Sequence, residues 1–549
     1  MFKIVPTDEQ NKVIELSQLH KHLKISAYAG AAKTSTLVMV ADANPVPSLM
    51  LTFNKSLADE AVARFPEHVE CRTTHSLAYA SFGAPLQHKL KRPQGAYKNV
   101  AGTGSEIAKF FKTGDFVYML TGERETRRMK AGGVGVAIKE TVARFEQSAE
   151  RSMTYDHVST SPCDTHLLRD KAAMRKFKYV VLEHAQKLWE LRTDLRSPVL
   201  ATHDTYLKLF QLSNPDLSQH RVKGGQPCQI LYLDEVQDVN DVVLDIFLQQ
   251  MDRMRLYAVG DQYQNIYGWR GAKNGMLALD WIEASLSKSF RFGQEVGDLA
   301  DVILADDGRI QTSVKGFEKL NTKCMNSFDL PDSFFENTYT MLFRTNGALI
   351  QEAVRLLAEG RRVNLEIDVS DFTKLLESAI ELFNGNMAKV KHEKLVQFEN
   401  WNEYKIEAEV VQGELIRVLK LVESGAVYRV LEVLRTHRNC SNPEMTLTTA
   451  HKSKGREWDY VILASDFPSC FDKDGVWVGL PDGERNLLYV AATRVKVMLG
   501  YNETVVELLK RSSASTQYED DLDIEYLFDE HVRNQVRQLN NDVRKCLED

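Results

Sequence analysis

The sequence predicts an α/β protein with two parallel sheets, each interrupted by a mostly helical insertion, and three observations carry that expectation. Short β-rich apolar runs recur at KISAYAG, SLMLTF, ILYLDE, RLYAVGD, YTMLFRT, MTLTTAH and YVILAS. Several are followed by helical-looking segments such as Leu349 to Ala358, the alternation expected of parallel strands joined by helices. The runs fall in two clusters, one split between the two ends of the first ~260 residues and one between about Tyr339 and Asn502, so the chain is expected to leave and re-enter each sheet.

Taken in order, residues 1–80 and 225–287 are expected to form the first α/β domain, and residues 81–224 a helical insertion rich in charge. Loop signals inside that insertion lie at GTGS, AGGVG and STSPCD. Residues 288–368 and 439–514 would form the second α/β domain, interrupted by residues 369–438. There KLLESAIELF and GELIRVLKLVESG carry apolar residues at spacings of three and four, read as core-packing faces. Residues 515–549 form a charged tail, helical or mobile, to which no function is assigned.

Composition bounds the function classes. The chain has 549 residues, too many for one compact core, with ordinary hydrophobic (43%) and charged (26%) fractions that argue against long disorder. A net charge of −7 gives no bulk attraction to nucleic acid, so any basic track must be local. Seven scattered cysteines form no CxxC pair, and neither a disulfide framework nor a zinc site is expected. The start MFKIVPTDEQ does not read as a signal peptide, and no stretch approaches the ~18 apolar residues of a membrane helix. An intracellular setting is expected, in the cytoplasm or nucleoid, or in the nucleus of a eukaryote.

The segment ISAYAGAAKTSTL orders a strand, a small-residue loop, the pair Lys33 and Thr34, and a helix, the context of a phosphate-binding loop. Amides across Ala29, Gly30, Ala31, Ala32 and Ser35 would cradle phosphates, Lys33 would reach β and γ oxygens, and Thr34 would hold Mg²⁺. Ala27 and Ala32 stand where the generic pattern has glycine, and by itself the segment also fits a plain strand, turn and helix. ILYLDEVQD adds a strand ending in Asp234 and Glu235, one carboxylate suited to ordering Mg²⁺ and the other to activating a water. An acidic surface turn is the bland account of that pair, and it weakens once the phosphate loop is set beside it.

DEVQD followed by GDQYQNIYGWRGA resembles helicase motifs II and III of superfamily 1, in the UvrD/Rep group. PTDEQ, LTFNKSLADEA, TTHSLA, SFRFG, LTTAHKSKGREWDYVIL and ERNLLYVAATR are similar to the Q motif and to motifs Ia, Ib, IV, V and VI, in that order. HDTYLKLFQL, together with AYAGAAKTSTL, looks like the F-box DNA helicase branch. No F-box precedes Gln10, so a ubiquitin-ligase role is not expected.

The resemblance implies two RecA-like domains clasping ATP with Mg²⁺, each carrying an accessory insertion, and movement in the 3′→5′ direction on single-stranded DNA. Position by position it implies that Gln10 reads adenine, Asp234 holds Mg²⁺, Glu235 is the catalytic base, and Gln264 and Arg270 sense the γ-phosphate. Arg291 and Arg494 would be arginine fingers from the second domain, and Glu457 would touch the ribose. Phe53, Tyr267 and Trp269 match positions that face the strand, with Asn54 and Thr74 beside them in the DNA motifs. His75 would bond a phosphate or base, and His451 would couple the strand to the nucleotide.

The expected partners are single-stranded DNA and its junctions with duplex, with a loading or recombination protein besides; no membrane partner is expected, and a monomer is. The residues do not distinguish DNA from RNA, nor repair from recombination or replication. The alternative reading is an ATP-gated single-strand-binding scaffold with little turnover. A nuclease is not expected, since only ~55 residues follow Arg494 and such a domain needs ~100.

Overall fold

The computed structural model describes residues 5–52, 54–90, 102, 104–122, 126–266, 274–305, 313–367, 369–392, 394–396, 398, 400–411 and 413–516. Strands β1 (His22–Ala27), β2 (Ser48–Thr52) and β3 (Val69–Thr73) precede an antiparallel hairpin of β4 (Phe116–Met119) and β5 (Thr126–Met129). Strands β6 (Ile230–Leu233), β7 (Arg255–Gly260) and β8 (Glu283–Leu286) then complete a parallel sheet in the order β3-β2-β6-β7-β1-β8. A second parallel sheet takes β9 (Lys323–Asn326), β10 (Tyr339–Phe343), β11 (Val363–Glu366), β12 (Met445–Thr449), β13 (Trp458–Leu463) and β14 (Val495–Tyr501), in the order β11-β12-β10-β13-β14-β9. These are the two parallel α/β lobes that the alternation predicts.

The central strands are continuous apolar runs because both of their faces are covered: every residue of β2 and of β6 is buried. β1 alternates instead, burying Leu23, Ile25 and Ala27. Strands β3, β8, β9 and β11 stand at the sheet edges, and none of them was among the apolar runs, since an edge strand buries less and needs fewer apolar residues.

Among its described residues, the regular elements of the first insertion are helices apart from the β4–β5 hairpin. AGGVG, expected as a loop, is instead the first turn of the helix Ala131–Gln147. Its glycines serve packing, because a Cβ on Gly135 would run into the carbonyl of Gly104 on the helix Gly104–Phe111. In the second insertion, Leu375, Leu376, Ala379 and Leu382 are buried with Val418, Leu419 and Leu431, so the three-and-four spacing there is core packing. Helix Glu503–Thr516 ends the described chain, and the remainder of the charged tail lies outside the described residues.

Candidate nucleotide site and strand interface

Strand order brings the phosphate-loop chemistry together. β6, β7 and β1 are neighbours, and all run parallel, so the segments leaving their carboxyl ends stand side by side: Asp234 and Glu235 after β6, Asp261 after β7, and the loop Tyr28–Ala32 after β1. The loop turns through two left-handed residues, Gly30 at φ +75° and Ala32 at φ 56°. Ala27 remains in the strand and needs no such backbone. Ala32 is the N-cap of helix Lys33–Ala43 and offers no side-chain cap, leaving the first-turn N–H groups of Lys33, Thr34 and Ser35 without helical acceptors. A helix start of that kind favours an anion.

Lys33 Nζ lies 3.4 Å from Glu235 Oε1, and Gln237 donates to Glu235 Oε2 at 2.6 Å. Burial disfavours the Glu235 carboxylate, but Lys33 and Lys454 outweigh it and hold its pKa below the ordinary value. Burial likewise opposes charge on Lys33, yet Glu235, Asp261 and Asp234 raise its pKa. Asp234 differs: burial, then the Glu235 charge, pushes it up to about 7. Glu235 sits at φ 53°, a strained backbone position for a glutamate. Thr34 Oγ1 donates to Asp234 Oδ2 at 3.2 Å. A hydroxyl and a carboxylate this close are hard oxygen donors of the kind Mg²⁺ takes beside phosphate oxygens and water.

The second lobe closes over this edge. Gly30 accepts a hydrogen bond from the Phe290 amide at 2.9 Å, and a Cβ on Gly30 would stand 2.9 Å from Arg291 Cβ. Arg291 therefore borders the loop; its Nε donates to Glu457 Oε2 at 2.8 Å and its Nη1 to the Thr493 carbonyl at 3.2 Å. Glu457 is also paired with Lys496 at 2.7 Å, so both its oxygens are engaged. Arg494 is 1% exposed and anchored by Nε on the Val490 carbonyl at 2.7 Å. Burial and then Arg291 lower its pKa, while Tyr489, Asp261 and Glu235 pull the other way; its anchor Val490 follows Tyr489, whose hydroxyl bonds Ala29 and Asp261 of the first lobe, which sets Arg494 at the lobe boundary. Arg485, in the same motif, turns to the Leu480 carbonyl at 2.9 Å.

Gln264 donates to Asp261 Oδ2 at 2.7 Å and is nearly buried. Gln10 closes a capping box with Thr7 and donates to Thr36 Oγ1 at 3.0 Å, so its amide faces the helix after the loop. Arg270, Phe53, Tyr267 and Trp269 lie outside the described residues.

Three groups in this region carry no role in the sequence reading. Tyr489 bonds both Ala29 and Asp261. Lys454 pairs with Asp238 at 2.6 Å between the lobes, both side chains being nearly buried. Asp261 gathers donors from Tyr263, Gln264 and Tyr489. Each lies inside a quoted motif string, so position alone flagged the neighbourhood but not the contact.

Of the residues expected to face a DNA strand, His451 lines a cavity of about 490 Å³ where the lobes meet, with Gln262, Tyr263 and Asn265 opposite. A second cavity of about 1080 Å³ shares Arg344, His451 and Glu484 with the first and continues between the second lobe and its insertion, past Arg417 and Lys452. His75 stands elsewhere, after edge strand β3, with Nε2 3.4 Å from Asp204 of helix His203–Leu212. Thr74 is buried beside it, and Asn54 caps helix Lys55–Arg64 through the Leu57 amide at 2.9 Å. Among the described residues, no helix is long and apolar enough to cross a membrane.

A family model described as UvrD/REP helicase N-terminal domain matches residues 6–280, and one described as UvrD-like helicase C-terminal domain matches residues 148–502. F-box DNA helicase protein 1 of Schizosaccharomyces pombe is 29% identical over 539 residues, covering 91% of this chain and 58% of that protein. F-box DNA helicase 1 of Gallus gallus is 29% identical over 541 residues, 92% of this chain and 49% of the relative. DNA helicase IV of Escherichia coli is 22% identical over 528 residues, 86% of this chain and 65% of the relative. The chain spans about half the length of the two F-box relatives.

Proposed function

The chain belongs to the UvrD-like helicase family, and on that premise we propose that it is an ATP-driven motor that moves along one strand of DNA and separates the duplex ahead of it. The observation that carries this reading is the composite pocket, in which Lys33, Thr34, Asp234 and Glu235 of one lobe are bordered by Arg291 and Arg494 of the other. A nucleotide-binding module needs the first set only. A hydrolase that couples lobe closure to chemistry needs both.

In this reading the first-turn amides of Lys33, Thr34 and Ser35 and the Lys33 ammonium hold the β and γ phosphates, whereas the expected cradle does not extend to Ala29 and Ala31, whose amides are taken by the Tyr489 hydroxyl and the Tyr28 carbonyl. Glu235, kept ionised by Lys33 and Lys454, accepts the proton of the attacking water. Thr34 and Asp234 would hold Mg²⁺, which supplies neutralising charge to the phosphate oxygens. Arg291 and Arg494 stabilise charge on the transferred phosphoryl group when the lobes close. Release of Arg291 from Glu457 accompanies that step and frees the carboxylate for a ribose hydroxyl.

DNA as the polymer rests on the names of the relatives and on the trough formed by the two joined cavities, where Arg417 and Lys452 make no ion pair among the described residues and suit backbone phosphates. Travel in the 3′→5′ direction follows family kinship. Steady-state ATP hydrolysis with and without single-stranded DNA tests the proposal. Strong stimulation is expected, with Lys33→Ala and Glu235→Gln each lowering kcat by about a hundredfold or more while Glu235→Gln still binds nucleotide. Undetectable turnover with retained strand binding would favour the ATP-gated scaffold instead.

A further inference from the structure

Tyr489 is the point at which three motif segments meet. It lies on helix Asp482–Ala492 of the second lobe, and the run from Leu487 to Ala492 is buried throughout, so the helix cannot slide without breaking apolar contacts. The phenol ring is edge-on to Tyr263 at 6.1 Å, and Tyr263 stacks on Tyr28 of the phosphate loop at 5.8 Å. Its hydroxyl accepts the Ala29 N–H at 2.9 Å and donates to Asp261 Oδ2 at 3.1 Å. That same carboxylate oxygen receives Gln264 Nε2 at 2.7 Å.

A single chain of hydrogen bonds thus runs from the loop amide through the phenol to Asp261 and Gln264. Ala29 and Tyr489 are both 0% exposed, so water has no path to replace the phenol while the lobes stay packed. Arg494 is tied to the same turn, since its Nε bonds the carbonyl of Val490, the residue after Tyr489. Any retraction of the second lobe that withdraws Arg494 also withdraws the hydroxyl, leaving a buried amide and a buried carboxylate short of partners.

We propose that Tyr489 is a positioning residue that transmits closure of the second lobe to the phosphate loop and to the Asp261–Gln264 segment, so that the loop is held for hydrolysis only when Arg494 is also in place. This inference rests on the ATP-hydrolysing motor reading. Its distinctive consequence is a loss of turnover without a loss of nucleotide binding, because the amides of Lys33, Thr34 and Ser35 that face an anion are independent of the phenol.

The test compares ATP hydrolysis of the full chain at saturating single-stranded DNA with that of Tyr489→Phe and Lys315→Ala. Lys315 pairs across the lobes with Glu9 at 3.8 Å without touching the phosphate loop or the trough, so its variant controls for simple adhesion. Tyr489→Phe keeps the ring and removes both hydroxyl bonds. The expected result is a kcat lowered about tenfold or more with KM for ATP within about threefold, while Lys315→Ala stays within about threefold of the parent. An unchanged kcat in Tyr489→Phe, equal losses in both variants, or a Tyr489→Phe protein that no longer folds would each overturn the proposal. A parent without DNA-stimulated hydrolysis sinks the motor reading and this inference together, whereas a stimulated parent matched by Tyr489→Phe sinks the tyrosine alone.

Discussion

Replacing Ala32 with glycine is expected to stabilise the first lobe. Ala32 holds φ 56° and ψ 40°, where an L-residue with a Cβ costs ~1–2 kcal/mol relative to right-handed backbone. Glycine is free of that cost but loses more freedom on folding, which offsets ~0.5–1 kcal/mol of the gain. The net expectation is a stabilisation of ~0.5–1 kcal/mol, with nucleotide affinity kept within about fivefold because the loop already holds the glycine-like conformation. Gly30→Ala is the opposing control: its φ is +75°, and the added Cβ would stand 2.9 Å from Arg291 Cβ, so a loss of ~2 kcal/mol or more is expected. Urea unfolding, followed by intrinsic fluorescence and by titration with a fluorescent ATP analogue, measures both quantities. An Ala32→Gly protein less stable than the parent, or a neutral Gly30→Ala, would refute the account of the loop as a strained turn pressed against the second lobe.

Other outcomes follow from the same geometry. Lys454→Met leaves Asp238 buried without its cation and should cost ~3–5 kcal/mol, seen as faster limited proteolysis between the lobes; adding Asp238→Leu should recover more than half of it. Burial raises the pKa of Asp238 from 3.8 to about 6 despite Lys454, so the folded state holds that proton more tightly than the unfolded chain does. The resulting stabilisation is complete below about pH 3.8 and drains away as pH rises through about 6; the stability difference between parent and Asp238→Asn should therefore shift by up to ~3 kcal/mol between pH 4 and 7 in denaturant titrations, and no shift would contradict it. In the first insertion, Arg192 makes two 3.1 Å bonds to Glu146, which is 1% exposed and also receives Thr205. Arg192→Met should cost ~3–5 kcal/mol at neutral pH and less in acid, where Glu146 takes up a proton, as hydrogen exchange in helix Ala131–Gln147 would report.

Much of this protein was legible from local strings because the physics behind them is local. An apolar run followed by small residues and Lys-Thr encodes a strand, a turn and a helix start within a dozen or so residues, and the hydrophobic patterns of the central strands follow from burial on both faces. Family resemblance extended that reach to Arg291 and Arg494 through the strings around them. The edge strands escaped because they bury little, and AGGVG misled because glycine there answers to a neighbouring helix and not to a turn.

What the tertiary structure alone decided is which distant groups meet. Sheet order sets β6, β7 and β1 side by side, and the docking of two lobes brings Tyr489 onto an amide 460 positions away and Lys454 onto Asp238 across 216. No periodicity records such contacts, since a hydrogen bond between lobes depends on strand order, lobe packing and the exclusion of water, all of which exist only once the chain has folded.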